Sequence, residues 1–217
     1  MDEFRGYPVC VQTVTVGGRT YELRLPTRAE ALLDDPRVLA RFERDEYLPY
    51  WATLWRAALA LAEVVAAWGP APAAPPTVLE LGCGLGLVSL LAAGLGYRVI
   101  ASDYDEDALA FTRDNAARNG LPVPETRRID WRERYADLRP DRIVAADVLY
   151  EARNLRPVAE FIRRHLAPGG IALIGDPNRC TADSFEQVLS AVGLAVRVKL
   201  VERPAAGRIF ELRHTLR

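Results

Sequence analysis

The run L-E-L-G-C-G-L-G-L, residues 79–87, constrains the fold more than any other part of the chain. A short apolar strand, T-V-L-E-L over residues 77–81, passes through three alternating glycines into a stretch that reads as a helix from Leu85 to Ala93. Gly82, Gly84 and Gly86 let the backbone approach a ligand closely, and the helix that follows offers unpaired N–H groups. Strand, glycine turn and helix in that order form the first unit of an open parallel sheet, which binds its ligands outside the carboxyl ends of its strands.

The rest of the chain repeats the alternation. R-V-I-A-S-D is a second strand ending at Asp103, followed by a helix from Glu106 to Asn119 with Asn119-Gly120 as its C-terminal stop. R-R-I-D-W, ending at Trp131, reads as a weak third strand and Arg142 to Asp147 as a fourth. A helix from Leu155 to Leu166 leads through Pro168-Gly169-Gly170 to a fifth strand, Ile171 to Asp176. Asp183 and Glu186 have the spacing of a capping box for a helix running to Val192. Leu194 to Val201 and Arg208 to His214 flank Pro204-Ala205-Ala206-Gly207 as a closing hairpin. Together these elements predict a Rossmann-like, doubly wound α/β sheet of seven strands with a C-terminal antiparallel hairpin.

Upstream, Thr13 to Leu25 alternates about Gly17-Gly18, the signature of a tight hairpin. Residues 26–49 are charged and partly helical. From Tyr50 to Trp68 the apolar positions Trp51, Leu54, Trp55, Ala58, Leu61, Ala62 and Val65 recur in steps of three and four, one face of a helix. The run G-P-A-P-A-A-P-P then breaks the chain. The expected division is residues 1–70 as a hairpin-and-helix extension covering the pocket, and residues 71–217 as the ligand-binding domain.

Composition narrows the function. With 28 basic and 29 acidic residues the formal net charge is −1, so no basic surplus recruits nucleic acid. All the basic residues except Lys199 are arginine, which with the abundant alanine reads as a coding bias. Three scattered cysteines and two histidines supply neither a disulfide framework nor a zinc centre. The acidic start has no signal-peptide core, and no window is apolar enough to span a membrane. The expectation is a cytoplasmic protein without a membrane or nucleic-acid partner.

The glycine loop departs from the dinucleotide fingerprint, which wants a small residue where Leu87 stands. Glu80, just before the loop, repels a pyrophosphate but suits a ligand carrying an ammonium and a sulfonium. Asp103 is placed to accept from both ribose hydroxyls of a nucleoside. At Asp130-Trp131, an acid can accept from an adenine amino group and an indole can wall the ring. These carboxylates at successive strand ends favour S-adenosyl-L-methionine (SAM) over NAD or a purely structural reading.

Four runs carry a family resemblance: E-L-G-C-G-L-G from Glu80 through Cys83, S-D ending at Asp103, I-D-W ending at Trp131, and A-A-D-V-L-Y ending at Tyr150. The chain resembles the class I, seven-strand SAM-dependent methyltransferases. More narrowly, it resembles the protein lysine methyltransferases with D-x-x-Y after strand four. P-Y-W-A-T-L-W, residues 49–55, and L-I-G-D-P-N-R, residues 173–179, are similar to segments of the electron-transfer flavoprotein β-subunit lysine methyltransferases. Arg56 departs from that pattern, which has proline there. The resemblance implies SAM as cofactor, a protein substrate presenting a lysine, and Trp55 near the methionine end of SAM. Trp51 is expected in the core.

Methyl transfer from SAM is an in-line displacement that holds the nucleophile about 3 Å from the methyl carbon. A lysine arrives protonated, with a reference pKa of about 10.4, and must lose a proton before attack. Asp147 is placed to attract the ammonium, Tyr150 to offer its hydroxyl or ring face, and the carbonyl of Ala145 or Ala146 to hold remaining hydrogens or the SAM amino group. Glu151 either attracts a cationic substrate or begins a solvated helix. The rival is a Mg²⁺ site from Asp147, Asp176 and Asn178, as in catechol-type O-methyltransferases, which would suit a small-molecule N- or O-methyltransferase. Pro177, which interrupts what would be an adjacent Asp-Asn pair, and the better match of G-D-P-N-R to the lysine-methyltransferase pattern argue against a metal. Arg179 is placed to pair with Asp176 or to meet an acidic partner surface. The D-P-P-Y type of signature that marks adenine methylation is absent.

Overall fold

The computed structural model describes residues 2–46, 48–203 and 205–215. Pro204, in the expected closing turn, lies outside them. The glycine-punctuated alternation folds as a seven-stranded sheet. Its strands are β4 (Thr77–Leu81), β5 (Arg98–Asp103), β6 (Glu125–Arg128), β7 (Arg142–Ala146), β8 (Ile171–Asp176), β9 (Leu194–Val201) and β10 (Gly207–His214). They lie in the order β6-β5-β4-β7-β8-β10-β9. The first five pair in parallel, and β10 runs antiparallel between β8 and β9. A preceding three-stranded sheet comprises β1 (Glu3–Phe4), β2 (Tyr7–Val16) and β3 (Arg19–Pro26), and Val16 pairs with Arg19 across the glycine turn.

Among the described residues six α-helices join the strands: α1 (Pro36–Asp45), α2 (Arg56–Ala66), α3 (Leu87–Gly94), α4 (Glu106–Arg118), α5 (Ala152–His165) and α6 (Phe185–Ala191). Because a parallel sheet is covered on both faces, its central strands are largely apolar, and two large clusters make up most of the core. One cluster gathers Phe161 and Ile162 of α5, Phe185 of α6, and Ile143, Ile174 and Phe210 of the sheet. The other joins Leu61 and Val65 of α2, Leu90 and Leu91 of α3, Val144 of β7, and Tyr21 and Leu23 of the N-terminal hairpin. Each such apolar side chain contributes about 1.5–3 kcal/mol on burial. No helix among the described residues is long and apolar enough to cross a membrane.

The hairpin is also held by two amides on α4 and its cap. Asn115 receives the Arg24 N–H at 2.7 Å and donates to the Arg24 carbonyl at 3.2 Å. Asn119 treats Glu22 alike, at 2.9 and 2.8 Å. The two residues, one helical turn apart, satisfy the free edge of β3 as a further strand would.

Four local expectations change. Trp51 and Trp55 do not share a helix: residues 50–52 form a 3-10 turn, and Trp55 is the N-cap of α2. Strand β6 stops at Arg128, leaving Asp130 and Trp131 in the loop beyond it. Strand β7 stops at Ala146, because Asp147 adopts a left-handed φ of +58°. The capping box is not made. Helix α6 begins at Phe185 without a side-chain cap, and Asp183 instead meets Arg208 at 2.9 Å, since a guanidinium is the stronger partner.

Candidate active site

The chain order reverses between β4 and β7: from β4 it runs outward to β6, then crosses back to β7. At the carboxyl end of that switch point lies a cavity of about 300 Å³, within the range of small-molecule sites. The residues expected to bind cofactor or acceptor line it: Glu80, Gly82, Cys83, Gly84 and Gly86 of the loop, then Asp103, Asp130 and Trp131, and, toward the end where Tyr50 also stands, Trp55, Ala146, Asp147 and Tyr150. Ala145, Asp176, Asn178 and Arg179 are not among its lining residues.

The glycine loop is shaped by close approaches. Gly86 has φ +85°, and a Cβ there would meet Thr112 at 2.7 Å; Gly84 has φ +53°, and its Cβ would press the Trp51 carbonyl at 3.3 Å. Neither position admits a side chain without strain. Trp51 itself is buried against Phe111, with ring centroids 5.0 Å apart, as expected of a core residue. Cys83 is buried beside Thr112, and burial holds its thiol well above the usual range, so it stays protonated.

The acids differ in state. Glu80 is buried and accepts from the Ser89 N–H at 2.9 Å and from the Ser89 hydroxyl. Burial raises its pKa to about 8 despite those bonds. Asp103 receives the N–H groups of Gly84 and Asp105, both at 3.0 Å, and burial raises it to about 6. Asp130 also feels burial, but hydrogen bonds from the Arg132 side chain and backbone outweigh it and hold the carboxyl below its ordinary range. A glycine cradle that a Cβ would fill, beside two carboxylates held short of full ionisation, fits a cationic nucleoside. The residues expected for its charged end (Glu80 and the loop), its hydroxyls (Asp103) and its base (Asp130 with Trp131) all border the cavity. Asp130 already carries Arg132, at 2.6 Å.

At the far end, Asp147 is buried and its N–H donates to the Gly175 carbonyl at 2.8 Å. Both its oxygens are taken by Arg179, at 2.5 and 2.9 Å. Arg179 therefore pairs with Asp147 through its side chain, and only its backbone N–H reaches Asp176, at 3.0 Å. Asp176 takes Arg208 at 3.0 Å. The two carboxylates of the Mg²⁺ alternative are each matched by a guanidinium, and no group of three His, Cys, Asp or Glu among the described residues is arranged for a metal. Burial raises the Tyr150 phenol far above its usual range, so it stays protonated. Glu151 is the N-cap position of α5 without capping it; its carboxylate instead meets Arg153, which also pairs with Glu46 over the cavity mouth.

Tyr50, Tyr104 and Arg153, not among the residues expected from the sequence, also line the cavity. Tyr50 stands in the P-Y-W run and was legible there. Arg153 also pairs with distant Glu46, a contact that the sequence does not mark.

A family model described as a methyltransferase domain matches residues 50–206. The ribosomal protein L11 methyltransferase of Chromohalobacter salexigens is 40% identical over 116 residues, 52% of this chain and 36% of that protein. The chain thus spans about a third of the length of the curated relatives it matches. Among solved structures, the L11 methylase of Lactobacillus delbrueckii subsp. bulgaricus superposes with a TM-score of 0.59 at 22% identity, covering 72% of this chain and 77% of that one. The glycopeptide N-methyltransferase MtfA, solved with SAM, gives 0.58 at 16% identity over 71% and 93%. Both share the fold. With its glycine loop, switch-point cavity and a family match over most of its length, the chain belongs to the methyltransferase-domain family.

Proposed function

We propose that the protein is a SAM-dependent N-methyltransferase that acts on a lysine side chain of a protein substrate. The observation that carries this is the continuity of one cavity from the glycine loop to Asp147 and Tyr150 of the D-x-x-Y run. SAM supplies a methyl group on a cationic sulfur. The chain's residues do the rest. The loop and Glu80 seat the charged end of the cofactor, and Asp103 its hydroxyls. Trp55 and Tyr150 wall the acceptor end and keep water from it. Asp147 brings a carboxylate, shared with Arg179, to the place where the acceptor nitrogen arrives. Tyr150 remains a phenol, so it orients the amine and does not take its proton. The ammonium gives its proton to solvent as it enters, a loss favoured by the cationic neighbourhood and by desolvation. The free amine then bonds the methyl carbon as the carbon–sulfur bond breaks, and the cofactor leaves as a neutral thioether.

A protein acceptor is supported by the L11 methyltransferase relatives, which are named for one. The P-Y-W-A-T-L-W and G-D-P-N-R runs favour an electron-transfer flavoprotein subunit as that acceptor. The test is transfer of labelled methyl from SAM into a cell extract, with protein and small-molecule fractions read separately and labelled proteins hydrolysed. Methylated lysine in a protein is the expected result; label confined to small molecules would overturn the reading.

A further inference from the structure

Three aromatic rings meet at the acceptor end of the cavity. The Tyr50 ring lies 5.0 Å from that of Tyr150 with the planes at 71°, and 5.9 Å from that of Trp55 with the planes at 75°. Tyr50 is thus the middle wall, with the other two standing across it. The corner is fixed, because the Trp55 indole N–H donates to the Tyr50 carbonyl at 2.7 Å. All three residues line the cavity, and Tyr50 is 38% exposed at its mouth.

The carboxylate beside this corner is not waiting for a charge. The Asp147 side chain is 3% exposed and both oxygens face the Arg179 guanidinium. Arg179 is anchored in turn: its N–H binds Asp176, and its carbonyl accepts from Arg208 at 2.8 Å. That guanidinium stands 5.8 Å from the Trp55 ring centre, so this ring already neighbours one cation. An incoming ammonium meets a carboxylate that is already matched, beside a corner built of three aromatic rings.

We propose that Tyr50, Trp55 and Tyr150 form an aromatic-walled site for the alkylammonium head of the acceptor, with Tyr50 the residue that completes it. The attraction is that of a cation for the negative face of a π-system, which strengthens as water is excluded. It needs no N–H donors, so the site takes a quaternary ammonium as readily as a primary one. The assignment rests on the reading of this cavity as an amine-methylating site.

The test is titration of the full chain with tetramethylammonium chloride, followed on the tryptophan indole NMR signals, with sodium chloride at equal ionic strength as control. Saturable binding is expected, kept within about threefold by Tyr50→Phe and weakened about tenfold or more by Tyr50→Ala. Tyr50→Leu keeps the bulk without the π face and is expected to behave as Tyr50→Ala, which covers a folding defect in the smaller variant. Tetramethylammonium acting no differently from sodium, or Tyr50→Leu binding as the unchanged protein does, would overturn the site. The two readings fail separately. Ring-dependent binding without label in protein lysine leaves the cation site and removes the lysine substrate. Labelled lysine with no effect of Tyr50 does the reverse.

Discussion

Single residues set the chemistry of the cavity through burial. Glu80, with a pKa near 8, is largely protonated at pH 7, whereas a cationic ligand beside it favours the ionised form. SAM binding at pH 7 is therefore expected to expel a proton, and affinity to rise as pH climbs through about 8. Calorimetry in two buffers of different ionisation heat reads this directly, and Glu80→Gln should abolish most of the proton release. The sign for stability is opposite. A raised acid pKa favours the folded state below the unfolded value of 4.5, and that contribution is lost as pH rises through 8. Melting of the ligand-free protein should thus fall from pH 6 to pH 9, and by less in Glu80→Gln. The Asp147–Arg179 pair obeys a different rule. Removing one partner of a buried pair strands the other's charge. Arg179→Met is expected to cost about 3 kcal/mol, and the double change with Asp147→Asn to cost less, by urea unfolding.

Elements were legible where their period was long and their ends carried glycine or proline. The second helix of the parallel region ended at Asn119-Gly120 as expected, with Asn119 as its cap. The parallel strands were placed within a residue or so, β6 excepted. The misplaced pieces were those that distant contacts decide. Trp51 is drawn out of a helix by packing on Phe111 and Tyr7. Asp183 leaves a cap for Arg208, far along the chain. Asn115 and Asn119 read as ordinary helix and cap residues, yet they join α4 to β3. Asn115→Leu keeps the volume but leaves the part-buried Arg24 N–H without its partner, so a loss of about 1–2 kcal/mol is expected. Asn119→Ala, nearer solvent, should cost about 1 kcal/mol. Amide hydrogen exchange should show faster opening of β2 and β3 in both, with the seven-stranded sheet unchanged.

At the scale of the molecule, the N-terminal hairpin and the central sheet share one apolar cluster with α2 and α3. One cooperative melting transition is expected, including the hairpin. SAM at about a hundred times its dissociation constant adds about 2.7 kcal/mol to the folded state. For a chain of this size that raises the melting temperature by about 5–10 °C. Calorimetry with and without SAM checks both; two separate transitions, or no shift, would count against a shared core or against cofactor binding.

The sequence by itself determined the sheet, its glycine cradle and the set of side chains at its carboxyl edge, because strand period, turn chemistry and strand ends are local properties. Which of those side chains are free was decided only by the tertiary structure. Arg132 on Asp130 is a neighbour, but Arg179 on Asp147, Arg153 on Glu46 and Tyr50 on Tyr150 come from segments that meet only after folding. A charge or a ring carries no mark in the sequence of the partner that will reach it. The roles of Asp147 and Tyr50 therefore appear only when their neighbours do.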